Sequence, residues 1–277
     1  MASPVVLITG CSSGIGSALC WAFQSKGYRV VATARQVEQL QKLQAAGMTV
    51  MTLDVNDPQA VKSVVSSVLA TEGKIDVLVN NAGFGQFGPL MDISQDKLQR
   101  QFQTNVFAPL ALVQQVAPSM KEQGSGLIIN MGSISGLVTT PFAGAYCASK
   151  AALHSLSEAM RMELAPFNIQ VVTIQPGAIA SSFGSSAESS LDSVMHSTSW
   201  YADLETDIRA RAQLSQSAAT PSAQFAAALV TQVTQPNPPS VIRLGKKSLW
   251  LPWLKRILPD RLMAYLLSRK FGLTELS

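Results

Sequence analysis

Short runs that are apolar on both faces alternate along this chain with longer runs whose apolar positions recur every three or four residues. Val5-Val6-Leu7-Ile8-Thr9 is the first short run, and Tyr28–Thr33, Val50–Val55, Ile75–Val79, Leu127–Gly132 and Ile169–Ile174 repeat the pattern. Runs of this kind read as buried parallel strands, and Ser240–Leu244 adds a last one. Between them the spacing predicts helices over Ser17–Lys26, Asp57–Ala70, Ser94–Met120 and Ala145–Leu164. Gly27 is the stop of the first, and Asp57-Pro58 is a cap and first-turn signal for the second. Ser94–Met120 reads as one long helix, interrupted or bent at Pro109, with Asn105 at an interior position that disfavours asparagine. Helix resumes near Pro221 and ends where Gln235-Pro236-Asn237-Pro238-Pro239 breaks it. Strands alternating with helices define an α/β chain with a doubly wound parallel sheet.

From Ala180 to Thr220 the pattern loosens into serine-rich, mixed polar sequence. That is long for a passive connection, so residues 180–220 are expected to form a mobile substrate lid. The chain shows no internal repeat. The expected division is a catalytic body over residues 1–245 and a basic, apolar helical tail over 246–277.

Composition narrows the classes. Of 277 residues, 47% are hydrophobic and 14% charged, with mean hydropathy +0.20, which fits a well-filled globule rather than disorder. After position 240 stand eight basic residues against Asp260 and Glu275, a net of +6. With a chain total of +4, the remainder carries −2, so a general nucleic-acid surface is not expected. Cys11, Cys20 and Cys147 lack CxxC or His-rich spacing and read as reduced thiols with no metal site. The N-terminal Met1-Ala2-Ser3-Pro4 has no basic stretch of a secretory signal. No apolar run approaches the roughly 18 residues of a membrane span, so the expected location is cytoplasmic.

Chemistry gathers at the strand ends. The first strand runs into Gly10-Cys11-Ser12-Ser13-Gly14-Ile15-Gly16 at the start of a helix. Glycines there admit a pyrophosphate, and the amides and the positive helix end attract it. The spacing is G-x-x-x-G-x-G. The second strand ends in Arg35, where an acidic residue would take the ribose hydroxyls of NAD. A planar cation suits a 2′-phosphate instead, with Ser12 adding a hydroxyl; the other reading is that Arg35 begins a solvated helix. Asp54, followed by Val55, is placed to accept from an adenine amino group. Asn80-Asn81-Ala82-Gly83 ends the fourth strand with small residues, or ties adjacent strands together through the asparagines. Tyr146 and Lys150 stand four apart on one helix face, where the cation is expected to lower the phenol's pKa. Ser133 adds a hydroxyl at a strand tip, and Asn105 reads either as a bend residue or as a holder of water against Lys150. His154 reads as a packed helix residue. His196 falls in the loose segment.

In this order the glycine turn, Asn80–Gly83, Asn105, Ser133, Tyr146, Lys150 and Pro176-Gly177 resemble the short-chain dehydrogenase/reductase family over about Val5 to Gly177. The resemblance implies a single-domain Rossmann-like fold and an oxidoreductase. It gives Tyr146 the role of general acid or base, Ser133 that of holding the substrate oxygen, Lys150 the nicotinamide ribose, and Asn105 the water of a proton relay. It places NADP(H) against Gly10, Ser12, Ser13, Gly14, Ile15, Gly16, Arg35, Asp54, Val55, Asn81, Ala82, Gly83, Tyr146, Lys150, Pro176, Gly177, Ile179 and Ser181. Ser181 stands where the family often has threonine.

Cys11 in the glycine turn, the Thr33-Ala34-Arg35 ending and the basic tail resemble a narrower branch. It contains 17β-hydroxysteroid dehydrogenases, retinol dehydrogenases and acyl-dihydroxyacetone-phosphate reductase, and implies a lipophilic carbonyl or alcohol substrate. The family analogy also implies a homo-oligomer. Two readings of the tail, divided into pieces by Pro252 and Pro259, stay open. Its apolar faces cover the substrate mouth or a partner subunit, or they make a peripheral membrane contact. The competing function is a catalytically silent NADP-binding sensor or scaffold.

Overall fold

Among the residues described in the computed structural model, 3–214, 216 and 219–276, seven strands form one parallel sheet in the order β3-β2-β1-β4-β5-β6-β7. They are β1 (Val5–Ile8), β2 (Arg29–Ala34), β3 (Thr49–Thr52), β4 (Val77–Asn80), β5 (Gly126–Met131), β6 (Ile169–Pro176) and β7 (Val241–Leu244). Every β1 residue is buried, as a strand covered on both faces requires. Leu7 is in register with Val31 on one side and Leu78 on the other. Strand order reverses between β1 and β4, and the crevice beyond the carboxyl ends at such a point is where this architecture takes ligands.

The helices are α1 (Gly14–Ser25), α2 (Gln41–Ala45), α3 (Pro58–Glu72), α4 (Gln95–Phe102), α5 (Ala108–Glu122), α6 (Gly144–Leu164), α7 (Phe183–Leu191), α8 (Glu205–Gln213), α9 (Ser222–Val233), α10 (Trp250–Ile257) and α11 (Asp260–Lys270). Helix α1 buries Leu19, Cys20 and Phe23, and α9 buries Phe225, Ala226, Leu229, Val230 and Val233, both into one sheet face. On the other face lie α3, through Val61, Val64, Val65 and Val68, and α5, through Leu112, Val113 and Val116. Asp57 caps α3 by accepting from the Gln59 amide at 2.8 Å, with Pro58 in the first turn, as its sequence signals.

Three expectations change. The span Ser94–Met120 is not one α-helix bent at Pro109. It is α4 and α5 joined by a π-helical turn over Gln103–Phe107, and Pro109 lies in the first turn of α5, where its missing N–H does no harm. Residues 180–220 are not uniformly loose, since α7 and α8 bury Ala187, Leu191, Ile208 and Ala212 in a third apolar cluster. The lid expectation for Ser215, Ser217 and Ala218 lies outside the described residues, as do those for Met1, Ala2 and Ser277. Pro252 does not divide the tail, because it sits in the first turn of α10, and the break falls at Leu258-Pro259.

Gly16 faces the carbonyl oxygen of Gly10 and the amide of Asn81 so closely that a Cβ would overlap both. Gly16→Ala in an ordinary helix would gain up to about 1 kcal/mol. Here it is expected to lose about 2 kcal/mol or more, read as a lower urea midpoint; a stabilised variant would contradict the packing.

Candidate active site at the carboxyl ends of the strands

The crevice between β1 and β4 is closed at its floor by side-chain bonds. Thr9 Oγ1 accepts from the backbone amides of Asn81 and Ala82, each at 3.0 Å. Asn81 Nδ2 donates to the Thr9 and Gly10 carbonyls at 2.8 and 3.0 Å. Gly10 takes φ +70°, and a Cβ there would meet Ala82 Cα at 2.8 Å, so the turn needs glycine for conformation and for space. Asn80 donates to Asn130 Oδ1 at 2.8 Å and to the Pro109 carbonyl at 3.3 Å. It is the tie between strands that the sequence left open.

The turn places Ser12 and Ser13 at the surface, and Ser13 Oγ shares a 2.8 Å hydrogen bond with Ser182 Oγ. Arg35 is exposed just past β2, with no hydrogen bond or ion pair among the described residues. It lines a second hollow together with Asp54 and Asn56. Asp54 Oδ1 accepts from the Asn56 amide at 2.9 Å, and Val55 is buried beside it.

A cavity of about 350 Å³ brings together Ile15, Asn81, Gly83, Ser133, Tyr146, Lys150, Pro176, Gly177, Ile179 and Ser181. Each of these is a site residue expected from the sequence. Gly10, Ser12, Ser13, Gly14, Gly16, Val55, Ala82 and Asn105 lie outside its wall, as Arg35 and Asp54 do. Gly14 is nonetheless adjacent, since a Cβ there would meet Ser181 Cβ at 2.9 Å.

Tyr146 and Lys150 share the buried face of α6. Lys150 Nζ donates to the Met131 carbonyl at 2.7 Å and lies 5.9 Å from the centre of the Tyr146 ring. Burial brings the Lys150 pKa down to about 8, which leaves the ammonium form dominant at neutral pH. Tyr146 departs from expectation: its pKa is pushed up to about 12, mainly by burial, with the Ser133 hydroxyl opposing. The ring is wedged between Phe87, stacked at 5.9 Å, and Phe183 at 5.2 Å. Desolvation of the phenolate therefore outweighs the stabilising groups that the protein itself supplies.

Asn105 sits in the π-helical turn with no exposed surface. Its Nδ2 donates to the Phe84 carbonyl at 2.9 Å and to Ser149 Oγ at 3.1 Å, and its Oδ1 accepts from the Phe84 amide at 3.2 Å. Both amide protons are committed, so the side chain fixes the loop after β4 rather than offering a donor to a relay water. Gln101, which the sequence reading passed over, holds the same loop through the Gln86 amide and the Phe84 carbonyl at 2.6 and 2.8 Å.

His154 is packed, as expected, and it also positions Ser133. Its Nε2 accepts from the Ser133 backbone amide at 3.3 Å, and the ring fills the space left by Gly132 and Gly136. The signal lay in the spacing, since His154 stands one turn beyond Lys150. Arg211 on α8 lines the cavity too, and nothing in its polar stretch of sequence announces that. The tail contributes Lys247, Trp250, Leu251 and Lys270 to the wall, while Leu249, Trp253, Ile257, Tyr265 and Leu266 are exposed. Trp250 and Trp253 stack at 5.3 Å and are exposed. No helix among the described residues is long and apolar enough to cross a membrane, and no group of His, Cys, Asp or Glu among them forms a metal site. His196 does not line the cavity.

A family model described as short chain dehydrogenase matches residues 4–192, and the chain belongs to the short-chain dehydrogenase/reductase family. It is 34% identical to human 17-beta-hydroxysteroid dehydrogenase type 1 over 94% of this chain and 82% of that one. It is 39% identical to the uncharacterized oxidoreductase YbbO of Escherichia coli K12 over 64% of its length, which spans 66% of that relative. Among solved structures, a short-chain dehydrogenase from Streptomyces avermitilis superimposes with TM-score 0.81 at 31% identity, over 99% of this chain and 98% of the other.

His154 supplies a test of the packing around Ser133. Burial, aided by the charges of Lys150 and Arg243, lowers its pKa from 6.5 to about 4. Between those values the unfolded chain binds the proton and the folded chain does not, so stability falls as pH falls through that window. The loss is on the order of 2–3 kcal/mol. Urea midpoints at about pH 7 and pH 4.5 are expected to differ less in His154→Gln than in the parent; identical differences would exclude the assignment.

Proposed function

We propose that the protein is an NADP(H)-dependent oxidoreductase that moves hydride between the cofactor and a lipophilic ketone, aldehyde or secondary alcohol. The observation that carries the reading is the convergence of the Tyr146 phenol, the Ser133 hydroxyl and the Lys150 ammonium on one apolar-walled cavity beside the glycine turn. The residues suit the cofactor. A turn with no room for Cβ atoms at Gly10 and Gly16 leaves space for a pyrophosphate, and Arg35 is an unpaired cation where a 2′-phosphate would lie. Family members of this fold were solved with NADP in one case, at 29% identity, and with NAD in another, at 22%. The preference here rests on Arg35.

NADP(H), when bound, donates or accepts the hydride. Ser133 Oγ holds the substrate oxygen and polarises the carbonyl. Tyr146 delivers the proton to that oxygen in reduction and removes it in oxidation. The raised Tyr146 pKa keeps the phenol protonated at neutral pH, which favours the donor role. Lys150, fixed on the Met131 carbonyl, holds a cation 5.9 Å from the centre of the phenol ring and would bind a ribose hydroxyl of the cofactor. Phe87, Phe183 and Val138 exclude water, so the hydroxyl dipoles act at full strength on the developing alkoxide. The resemblance to a branch acting on steroids, retinoids and acyl-dihydroxyacetone phosphate supports a bulky, lipophilic substrate. Residues 1–245 form the catalytic body in this reading, and the tail walls its cavity.

The first test is NADPH oxidation against steroid, retinoid, acyl-dihydroxyacetone-phosphate and aryl ketone substrates, with NADH beside it. Tyr146→Phe is expected to lower kcat by about 10²- to 10⁴-fold while NADPH fluorescence titration shows binding retained. Full activity in that variant would refute the mechanism, and tight NADPH binding without any turnover would favour a sensor. Arg35→Asp is expected to move the NADPH/NADH ratio of kcat/KM toward NADH by about tenfold or more; an unchanged ratio would remove Arg35 from cofactor choice.

A further inference from the structure

Arg211 has no part in the hydride transfer described above, yet it is only 7% exposed and lines the same cavity. Its Nε and Nη2 both donate to one neutral acceptor, Thr140 Oγ1, at 2.9 and 2.6 Å. Among the described residues no carboxylate pairs with it and Nη1 has no hydrogen bond. The guanidinium plate lies 5.2 Å from the centre of the Phe87 ring and 5.8 Å from that of Phe271. Aromatic faces attract the cation but do not neutralise it. An arginine stays protonated even where burial opposes it, so the fold maintains a nearly dry positive charge that costs several kcal/mol if left unpaired.

The groups around it cannot supply the missing anion. The nearest ionisable neighbours are the Tyr146 phenol and the Cys147 thiol, both kept neutral by burial. No Asp or Glu stands in the cavity wall, whereas exposed Lys247 and Lys270 do. The charged groups of the wall are therefore all cations, set among neutral polar groups such as Ser135 and Thr140 and apolar ones such as Leu214, Leu251 and Phe87. The Phe87 ring centre lies 5.9 Å from that of Tyr146 and 5.2 Å from the Arg211 guanidinium, so both groups contact the same aromatic ring.

We propose that the cavity contains an anion subsite in which Arg211 takes a carboxylate or phosphate carried by the substrate, while the substrate's carbonyl lies at Ser133 and Tyr146. The substrate class is then an amphipathic oxo compound: an apolar body with an oxyanion at the end remote from, or lateral to, the carbonyl. A guanidinium with a free edge accepts either oxyanion. This inference rests on the redox reading above for the position of the carbonyl, and not for the presence of the subsite.

The test compares matched pairs in the parent, Arg211→Met and Arg211→Lys. With NADPH present, kcat/KM is measured for 4-acetylbenzoate against its methyl ester and for 10-oxoundecanoate against its methyl ester. The acid is expected to exceed the ester by about tenfold or more in at least one pair. That ratio is expected to fall to about one or below in Arg211→Met, with Arg211→Lys between the two. A parent enzyme that prefers both esters, or a ratio unchanged in Arg211→Met, overturns the subsite. If Arg211→Met does not fold, as judged by thermal unfolding and NADPH binding, the Arg211→Lys ratio decides in the same way. If none of these ketones is turned over, the redox reading is decided by the substrate panel above, and calorimetry decides the subsite separately. Decanoate or decyl phosphate binding at least about tenfold tighter than decanol, with the difference reduced in Arg211→Lys, upholds the subsite; equal affinities for all three overturn it. Whichever anion binds more tightly identifies the oxyanion.

Discussion

Exclusion of water from three polar groups governs this site. Tyr146 and Ser133 are each 8% exposed and Lys150 is 6% exposed, and in so dry a place any polar atom without a partner is heavily penalised. The surrounding bonds follow from that requirement: Lys150 needs the Met131 carbonyl, and the Ser133 amide needs His154. The same dryness sets the chemistry. It moves the lysine down to about 8 and the tyrosine up to about 12, opposite to the expectation that the cation would make the phenol more acidic. The Tyr146 phenol and the Ser133 hydroxyl thus face one cavity side by side, with the phenol in its protonated form.

That burial is available only because the groups sit where the sheet changes direction. Strands β1 and β4 are adjacent in space but far apart in sequence, and the helices that follow them cover opposite faces. The crevice left between them is bonded shut at its base by Thr9 and Asn81. Strand β5 then carries Ser133 to the neighbouring tip, and α6 lies across it with Tyr146 and Lys150 on the inner face. The π-helical turn at Gln103–Phe107 aims Asn105 at the Phe84 backbone and Ser149. An uninterrupted α-helix would set the residues on either side of it at a different angle.

Local signals made most of the fold legible. All seven strands are runs whose β-branched and apolar content suits a covered sheet, and Asp57-Pro58 marked the start of α3 within one residue. What local signals missed depends on contacts distant in sequence. The π turn hides inside a helical period, with Pro109 drawing attention to the wrong residue. Serine-rich composition suggested a loop at 180–220, yet Ala187 and Leu191 on α7 meet Ile208 and Ala212 on α8, a pairing that neither helix shows alone. The polar neighbours of Tyr146 and Lys150 were visible as a motif, but the sign of the tyrosine's shift was not. It depends on Phe87, from the loop after β4, and Phe183, at the start of α7, which are distant in sequence from Tyr146 and from each other.

The third apolar cluster gives the tail a place in this scheme. Phe271 and Leu267 join Phe87, Tyr146 and the α7–α8 pair in one cluster, and the root of the tail is fixed to the loop after β6 by the Ala178 amide on the Lys246 carbonyl at 3.0 Å. Through Leu267 and Phe271 the tail thus joins the same cluster as the Tyr146 ring, while α10 buries none of its side chains. The tail's excess of positive charge, which from composition alone suggested a surface property, is brought by Lys247 and Lys270 to the wall of the cavity. Exposed cations there draw an anionic molecule inward over a distance set by the roughly 8–10 Å screening length of ordinary salt. Arg211 then lies deeper, where screening is weak and a single ion pair counts for more. The net charge of +4 is in this sense unevenly distributed, with two of the eight basic residues after position 240, Lys247 and Lys270, at the cavity wall.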